Sequence, residues 1–193
     1  MTMTVSEDAT ARTRLLHAAA RLFYADGIAA TGINAITAAA GVARMSLYNN
    51  FSSKDELMLA YIEARHQEWL GLYAHRVGDS PDPKAAVLAV FDAYIDHADL
   101  GYEHGFRGCG LLNAAAELPV NSPGRDSVRG HKEQVEQILL AQLRRVTTPD
   151  DAARLAEHCS FLLEGAMTRA GLEGTSRRLE QAKQLAAGLI DDL

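Results

Sequence analysis

Two short helical patterns separated by one glycine occupy the stretch from Thr31 to Lys54, and no other part of the sequence constrains the fold as strongly. Apolar residues recur at helical spacing over residues 33–40 and again over residues 44–51. Gly41 lies between them, and glycine adopts at little cost the positive φ at which a helix ends and the chain turns. The stretch therefore predicts two helices joined by a tight turn. The residues expected to face inward are Ile33, Ile36, Ala40, Leu47 and Phe51.

The opposite face of the second predicted helix is polar. In a helix-turn-helix the second helix enters the DNA major groove, where such side chains donate to phosphates or read base edges. A helical hairpin with a solvated face is the ordinary structural alternative, since such hairpins are common in helical proteins. The pattern alone leaves both interpretations open. The outward residues are Arg44, Ser46, Tyr48, Asn49 and Asn50.

A series of short motifs extends over residues 13–59, about a quarter of the chain. They are an aromatic-x-x-x-Gly at the end of the first helix, a threonine, an Ile- and Ala-rich helix, Ala-Gly-Val, Leu-Tyr-x-x-Phe and Ser-Lys-x-x-Leu. In combination they resemble the N-terminal domain of the TetR family of bacterial transcriptional repressors. The matching segments are Leu22–Gly27, Thr31, Ile36–Ala38, Ala40–Val42, Leu47–Phe51 and Ser53–Leu57.

The resemblance implies a set of DNA-contacting residues. Arg44, Met45 and Ser46 match the start of the recognition helix and are expected to face the groove. Tyr48 and Lys54 match positions that commonly contact phosphate. Lysine in the first turn of a helix opposes the helix dipole, and a phosphate beside Lys54 would remove that conflict. The predicted DNA-binding residues are Thr31, Asn34, Arg44, Met45, Ser46, Tyr48, Asn49, Asn50 and Lys54.

Four of these positions depart from the family's pattern. Asn49 and Asn50 stand where an aromatic residue and a histidine are usual. Met45 stands where glycine or proline is frequent, and Asn34 where arginine is common. Asparagine can pair with adenine, and methionine can contact a thymine methyl group. The operator therefore need not resemble a well-known one.

The net charge of −6 is unevenly distributed along the chain. Residues 1–54 carry five basic and three acidic side chains, a net charge of +2, and the remaining residues carry −8. The cationic end therefore coincides with the predicted DNA-binding region. Because the positive excess is small, non-specific affinity for DNA is expected to be modest and strongly salt-dependent.

Beyond this region the sequence predicts only helices, with no β pattern and no repeat. Ser52 and Ser53 are N-cap candidates with Asp55 and Glu56 as capping-box partners, and they begin a long helix of ~36 Å that runs to about Val77. A linker is predicted at Asp79–Pro83. Further helices are expected at about 84–100, 111–118, 125–146, 150–170 and 176–190. Asp82 and Thr148, each before a proline, are predicted N-caps, and Gly171 and Gly174 are predicted to break the helix over 150–170.

The predicted fold is therefore all-α with about nine helices, in the order that the TetR family has. The resemblance implies a helix-turn-helix DNA-binding domain over residues 1–54. It also implies a helical effector-binding and dimerisation domain over residues 55–193, joined to the first by the long helix.

The apolar interior of the second domain is the predicted site of a small apolar or amphipathic effector. Aromatic residues at helical spacing usually pack in a core, which is the alternative explanation. Polar contacts would come from Asn113, Glu117, His97 and His131. The predicted ligand-binding residues are Trp69, Tyr73, Phe91, Tyr94, Leu111, Leu112, Asn113, Val135 and Phe161.

The last two predicted helices carry small and apolar residues suited to a four-helix interface between two subunits. The alternative is that these residues cover their own domain, and the family resemblance favours the dimer. The predicted interface residues are Leu155, Cys159, Leu162, Leu163, Ala166, Leu179, Ala182, Leu185, Ala186 and Leu189.

The two cysteines, Cys109 and Cys159, are too few for a disulfide framework and lack metal-binding or redox spacing. Small buried hydrophobic residues are the ordinary explanation. Cys109, however, lies among glycines close to His104 and Arg107, and nearby positive charge favours a reactive thiolate. Redox or electrophile sensing through Cys109 is therefore an alternative function. No element shows metal-ligand spacing, so no metal site is predicted.

The sequence contains no P-loop, no GxGxxG after a strand, no nucleophile elbow and no HExxH. We therefore expect no enzyme, no catalytic residue and no cofactor. The rival classes are a small helical hydrolase or metalloprotein, in which Cys109 would act with His104 or His131, and a nucleoid-type DNA binder without an effector. Turnover or a bound metal would identify the former, and absence of sequence preference the latter.

The chain contains no run of 18 apolar residues, so no membrane span is predicted. Met1–Asp8 is polar and acidic, unlike a secretory signal, and is expected to be a loose tail. A cytoplasmic location is therefore expected. The predicted partners are a double-stranded DNA operator, a small-molecule effector and a second copy of the chain. Repression is favoured over activation because blocking a promoter needs no further contact surface.

Overall fold

A computed structural model of the protein describes residues 10–78, 82–191 and 193, and over these residues the chain forms nine α-helices and no β-strand. This confirms the predicted all-α class. The tail predicted at Met1–Asp8 and residues 79–81 of the predicted linker lie outside the described residues. The helices are α1 (Ala11–Asp26), α2 (Ile33–Ala39), α3 (Arg44–Asn50), α4 (Lys54–Val77), α5 (Pro83–Ala98), α6 (Gly110–Ala116), α7 (Pro123–Leu143), α8 (Pro149–Glu173) and α9 (Arg177–Ile190).

Polar N-cap side chains set the starts of several helices. Thr10 Oγ1 accepts a hydrogen bond from the Thr13 N–H at the start of α1. Asp82 and Thr148 cap α5 and α8, each before a proline at the first helical position, as the sequence predicts. The side chain of Asp82 accepts from the Lys84 N–H at 3.0 Å.

Half of the predicted capping box is present at the start of α4: Ser53 caps the Glu56 N–H, but the Glu56 carboxylate binds Ser52 instead of Ser53. The Glu56 carboxylate accepts from both the N–H and the hydroxyl of Ser52, each at 2.7 Å. The Ser53 hydroxyl oxygen accepts from the Glu56 N–H at 3.1 Å. The hydrogen bond from the Ser52 side chain, followed by that from its backbone, lowers the pKa of Glu56. These contacts fix the junction between the short N-terminal helices and α4.

The end of α8 differs from its prediction. The sequence predicts that α8 stops near Ala170 because Gly171 and Gly174 break it, but α8 continues through Gly171 to Glu173, and only Gly174, with a φ of +70°, caps its end. Gly171 lies inside the helix, where a Cβ would be 2.6 Å from the Cα of Gly108. Glycine at 171 therefore serves the close approach of two backbones rather than a helix end.

The chain divides into two compact units. The first comprises the chain up to His66 together with Gly110–Val128, and the second comprises Gln67–Cys109 and Arg129–Leu193. The helices α4 and α7 therefore each contribute residues to both units. In the first unit α1 packs against α2, α3 and α6, and in the second α9 packs against α5 and α8.

Each unit has its own apolar core. Fully buried side chains of the first unit come from α1 to α4, and those of the second come from α5 and from α7 to α9. No helix in the part of the chain that the structure describes combines the length and apolarity needed to cross a membrane. Core residues of the first unit include Leu15, Ile36, Leu47, Phe51, Leu57, Tyr61 and Ile62, and those of the second include Val87, Phe91, Leu139, Leu143, Met167 and Leu179.

Candidate nucleic-acid interface

Helix α3 is held from behind by buried apolar side chains. Leu47 in the middle of α3 and Ile36 on α2 are fully buried, and Phe51, directly after α3, is 1% exposed. Burial of each such side chain stabilises the fold by about 1.5–3 kcal/mol. The inward face of the predicted helix-turn-helix therefore serves as the anchor of α3.

The opposite face of α3 is exposed. Met45 is 67% and Tyr48 40% exposed, and Arg44 and Asn49 are also exposed. The guanidinium carbon of Arg44 lies 5.9 Å from the centre of the Tyr48 ring, so the two side chains form one cationic and aromatic patch. Asn34, at the start of α2, is exposed as well. These five residues are available to a ligand on the surface of the unit.

The turn between α2 and α3 has the predicted geometry. Gly41 has a φ of +62°, and its N–H donates to the carbonyl oxygen of Ala38 at 3.1 Å. The Val42 N–H donates to the carbonyl oxygen of Thr37, also at 3.1 Å. A residue with a Cβ would be strained at position 41, so this glycine sets the angle between the two helices.

Asn50 and Ser46 are less available than their neighbours, since both are only partly exposed. The Asn50 side-chain amide donates to the Ser46 carbonyl oxygen at 2.7 Å, one turn back along α3. The Asn50 carbonyl oxygen accepts from Arg12 Nη1 at 2.6 Å, and the Arg12 guanidinium carbon lies 4.1 Å from the centre of the Phe51 ring. Arg12 thus holds the end of α3, a role that its position at the start of α1 did not predict.

Thr31 and Lys54 are engaged within the unit. Thr31 is 3% exposed, and its hydroxyl donates to the Gly27 carbonyl oxygen at 2.6 Å. Lys54 Nζ donates to the Ile28 carbonyl oxygen at 2.6 Å. The sequence predicts a phosphate as the partner of Lys54, and in the structure the Ile28 carbonyl oxygen is that partner. The contacts of Thr31 and Lys54 support a role in holding the loop before α2, and their contact with DNA stays a prediction.

A carboxylate from a distant part of the sequence also binds this loop. Glu117, directly after α6, accepts hydrogen bonds from the N–H groups of Ile28 and Ala29 at 3.0 and 2.7 Å. The sequence suggested Glu117 as a polar contact for an effector. Nothing in its sequence surroundings indicated a contact near residue 28, because it depends on the packing of α6 against α1.

Comparison with known proteins identifies this architecture. A model of bacterial regulatory proteins of the tetR family matches residues 15–61. A TetR-family transcriptional regulator from Streptomyces coelicolor is 33% identical, with a TM-score of 0.86 over 94% of this chain and 95% of that chain. A TetR regulator from Chloroflexus aurantiacus is 27% identical, with a TM-score of 0.81 over 94% of both chains.

The chain belongs to the TetR family of transcriptional regulators. Proteins of this family are regulators of transcription and not enzymes, and homodimers that bind DNA and small ligands are typical of it. The resemblance inferred from the motifs of residues 13–59 is confirmed.

Two curated relatives match about half of the chain. The HTH-type transcriptional activator FasR of Mycolicibacterium smegmatis is 36% identical over 95 residues, and the HTH-type transcriptional repressor KstR2 of Rhodococcus jostii is 31% identical over 91 residues. The matches span 43% and 45% of these relatives, so the chain covers less than half of their length. One relative is an activator and the other a repressor.

Several predicted effector residues of this TetR-family chain form an aromatic cluster in the second unit. Trp69 stacks on Tyr73 with ring centres 5.7 Å apart, and its ring lies 5.2 Å from that of Tyr94 and 5.6 Å from that of His131. The Tyr94 hydroxyl is 3.3 Å from His131 Nε2. Among the described residues, the buried Trp69 Nε1 has no hydrogen-bond partner. An indole donor buried in this way is unusual and suits an external acceptor.

Other predicted effector residues lie elsewhere. Phe91 and Val135 are buried in the core of the second unit. Phe161 is 66% exposed on α8 and is not part of the aromatic cluster. Leu111, Leu112 and Asn113 belong to α6 and therefore to the first unit. The structure thus brings together Trp69, Tyr73 and Tyr94, with His131.

A partly exposed charged pair adjoins this cluster. Lys132 Nζ lies 2.8 Å from Glu164 Oε1 and 5.4 Å from the centre of the Tyr94 ring. Burial lowers the pKa of Lys132, but charge interactions with acidic groups around it, Glu164 among them, outweigh burial and raise it. Burial raises the pKa of Tyr94. Both residues therefore keep their ordinary protonated forms at neutral pH.

Most of the predicted dimer residues are buried within the chain itself. Leu155, Cys159, Leu163, Ala166, Leu179, Ala182 and Ala186 are at most 9% exposed. Leu185 and Leu189 on α9 are 60% and 41% exposed, and Leu162 is partly exposed. Phe161 lies on the exposed side of α8. Large apolar side chains thus remain on the outside of α8 and α9.

Proposed function

We propose that this TetR-family protein is a homodimeric repressor that binds a palindromic operator through α3 and is released by a small effector. The observation that carries the proposal is the exposed Arg44, Met45, Tyr48 and Asn49 face on a helix anchored by buried Leu47. We assign DNA binding to residues 1–54 and effector binding and dimerisation to residues 55–193. The protein would act in the cytoplasm, where a bacterial chromosome is accessible.

The proposed dimer uses the exposed apolar face of α8 and α9. Phe161, Leu185 and Leu189 are large apolar side chains with 41–66% exposure, and such side chains in a monomer favour association. The buried residues of the two helices, including Leu179 and Cys159, support this face from within the subunit. Two subunits related by a two-fold axis would place their α3 helices one DNA turn apart, ~34–36 Å.

The proposed effector site is the aromatic cluster of Trp69, Tyr73, Tyr94 and His131. Aromatic side chains favour an apolar ligand, and the Trp69 indole N–H offers a donor to one acceptor atom of that ligand. An amphipathic effector with a ring or chain and one acceptor oxygen fits this arrangement. Release requires that the effector favour the state with low operator affinity, by roughly 1–3 kcal/mol of coupling.

Selection of bound sequences from random DNA by the full-length protein tests this function. We expect an enriched palindrome whose half-sites lie about one helical turn apart. The double variant Arg44→Ala/Tyr48→Ala is the matched control and should lose the enrichment. A screen of amphipathic compounds for release from the recovered DNA would then identify the effector. Binding without any sequence preference would instead support a nucleoid-type role.

Sensing of oxidants or electrophiles through Cys109 is the second candidate. Cys109 is 8% exposed and lies among glycines, close in the sequence to His104 and Arg107. Burial raises the pKa of the other thiol, Cys159, to about 11, which disfavours its reactive thiolate form. Operator binding under peroxide, with Cys109→Ser as control, tests this candidate. Unchanged binding with Cys109 oxidised would exclude it.

A further inference from the structure

We infer that Glu117 is a positioning residue for α2 and α3, the two DNA-reading helices. Its carboxylate fixes the loop between α1 and α2 in the arrangement that operator binding requires. The inference rests on the proposed function of operator binding. It concerns only the first compact unit, to which both Glu117 and the loop belong.

Both oxygens of Glu117 are used in this contact. Oε1 accepts from the Ile28 N–H at 3.0 Å and Oε2 accepts from the Ala29 N–H at 2.7 Å. These are the first two N–H groups after Gly27, the C-cap residue of α1. Hydrogen bonds to a charged acceptor are about twice as strong as neutral ones, so the pair holds the loop more firmly than a water could.

Gly27 has no side chain that would collide with the Glu117 carboxylate. Its φ of +92° lies in a region that other residues avoid, and a Cβ on Gly27 would be 2.7 Å from Glu117 Oε1. Glycine at this position therefore permits the chain to turn and also leaves room for the carboxylate. Two residues separated by 90 positions in the sequence are thus fitted to one another.

The loop is also bound by a positively charged side chain, that of Lys54. The Ile28 carbonyl oxygen accepts from Lys54 Nζ at 2.6 Å, while the Ile28 N–H donates to Glu117. The Gly27 carbonyl oxygen accepts from the Thr31 hydroxyl at 2.6 Å. Ile28 is therefore held between a carboxylate that follows α6 and the first residue of α4.

This contact affects the positions of α2 and α3 because α2 begins only five residues after Ile28. Helix α1 packs against α2, α3 and α6. The contact of Glu117 with the loop therefore connects the end of α6 to the segment that leads into α2 and α3. Without Glu117 the loop loses its fixed attachment on the N–H side. The reading helices would then sample several positions relative to α1, and operator affinity would fall because only one position fits the groove.

Operator affinity and amide exchange of full-length Glu117→Ala test the inference, using DNA recovered with the wild-type protein. We expect affinity to fall about tenfold and the slope of affinity against salt to stay unchanged, since no phosphate contact is lost. Hydrogen exchange at the amides of Ile28 and Ala29 should accelerate. The matched control is Glu133→Ala, which removes a 66%-exposed carboxylate from α7 and should bind as wild type.

Glu117→Gln keeps the size and one acceptor oxygen, and it should restore part of the affinity; it also serves if the alanine variant does not fold. Thermal unfolding establishes that each variant is folded at the temperature of the binding assay. Two results would overturn the inference but leave the proposed function standing. One is wild-type operator affinity in a Glu117 variant whose Ile28 and Ala29 amides exchange rapidly. The other is a Glu117 variant in which these two amides stay protected from exchange. A wild-type protein that recovers no operator would overturn the proposed function and the inference with it.

Discussion

Arg12 Nη1 donates a 2.6 Å hydrogen bond to the carbonyl oxygen of Asn50, the last residue of α3, from the second residue of α1. The same guanidinium lies over the Phe51 ring at 4.1 Å. Carbonyl groups at the end of a helix lack partners within the helix, and a cation there is favourable for the helix dipole. The end of the reading helix is thus fixed by a residue more than 35 positions earlier in the chain.

Arg12→Ala should weaken operator binding about tenfold, because the end of α3 loses a charged hydrogen bond. Fluorescence anisotropy with labelled operator at several salt concentrations measures the effect. Arg21→Ala removes the same charge from α1 and serves as the control. A salt slope that falls by about one in Arg12→Ala alone would show that Arg12 binds a phosphate, which would contradict a purely positioning role at the end of α3.

Arg44→Ala and Tyr48→Ala should have different consequences for base preference. Tyr48→Ala is expected to weaken binding to all sequences equally, because its hydroxyl would bind the backbone of the DNA. Arg44→Ala should relax preference at one base pair, by about 1–3 kcal/mol. Selection from random DNA with each variant distinguishes the two. Equal losses of affinity with unaltered preference in both variants would contradict these roles.

Gly171→Ala should destabilise the protein by about 1–3 kcal/mol, because the new methyl group meets the backbone of Gly108 at 2.6 Å. Gly130→Ala is the control: position 130 also lies inside a helix and a Cβ there meets nothing within 4 Å. The control should be neutral or stabilising by up to about 1 kcal/mol. Urea unfolding at fixed protein concentration measures both, and equal stability of the two variants would contradict the packing argument.

Leu185→Glu should convert the proposed dimer to monomer, with a dissociation constant raised about a hundredfold or more, since a carboxylate would be buried without a partner. Val120→Glu changes an apolar side chain of 73% exposure in the loop between α6 and α7, and should leave the dimer intact. Sedimentation velocity measures the oligomeric state. A dimeric Leu185→Glu protein would place the interface elsewhere.

Arg76→Ala should lower the free energy of unfolding by about 0.5–1 kcal/mol at pH 7, in keeping with a partly exposed ion pair. The hydrogen bond from Arg76 lowers the pKa of Asp96 below its ordinary 3.8. A lowered carboxyl pKa stabilises the folded state above pH 3.8, and this contribution is lost as the pH falls through the folded-state value. The difference between variant and wild type should therefore shrink below pH 4 in urea titrations. A difference that grows there would contradict the assignment.

Local sequence signals predicted the helices well because their causes are local. Asp82 and Thr148, each before proline, cap helices through their own side chains, and Gly41 takes the positive φ that its turn requires. The inward positions of Leu47 and Phe51 follow from helical periodicity alone. These features needed no knowledge of the rest of the chain.

The remaining features depend on contacts between distant residues. Gly171 looked like a helix end because its partner, Gly108, is not visible in the local sequence. Glu117 and Arg12 bind backbone groups of loops and helix ends, which carry no side-chain signature. Helical periodicity also could not separate the inner and outer faces of α8, so Phe161 was placed in a cavity although it lies outside.

The compact unit that contains the reading helices is encoded by two separate parts of the gene, because Gly110–Val128 belongs to it. A recombination event with one crossover after the codon for residue 66 would transfer helices α1 to α3 without Glu117. Chimaeras made by exchanging N-terminal segments should therefore inherit operator preference intact only when the recipient carries an acidic residue after its sixth helix. Modularity in this protein is a property of its three-dimensional contacts rather than of its linear gene order.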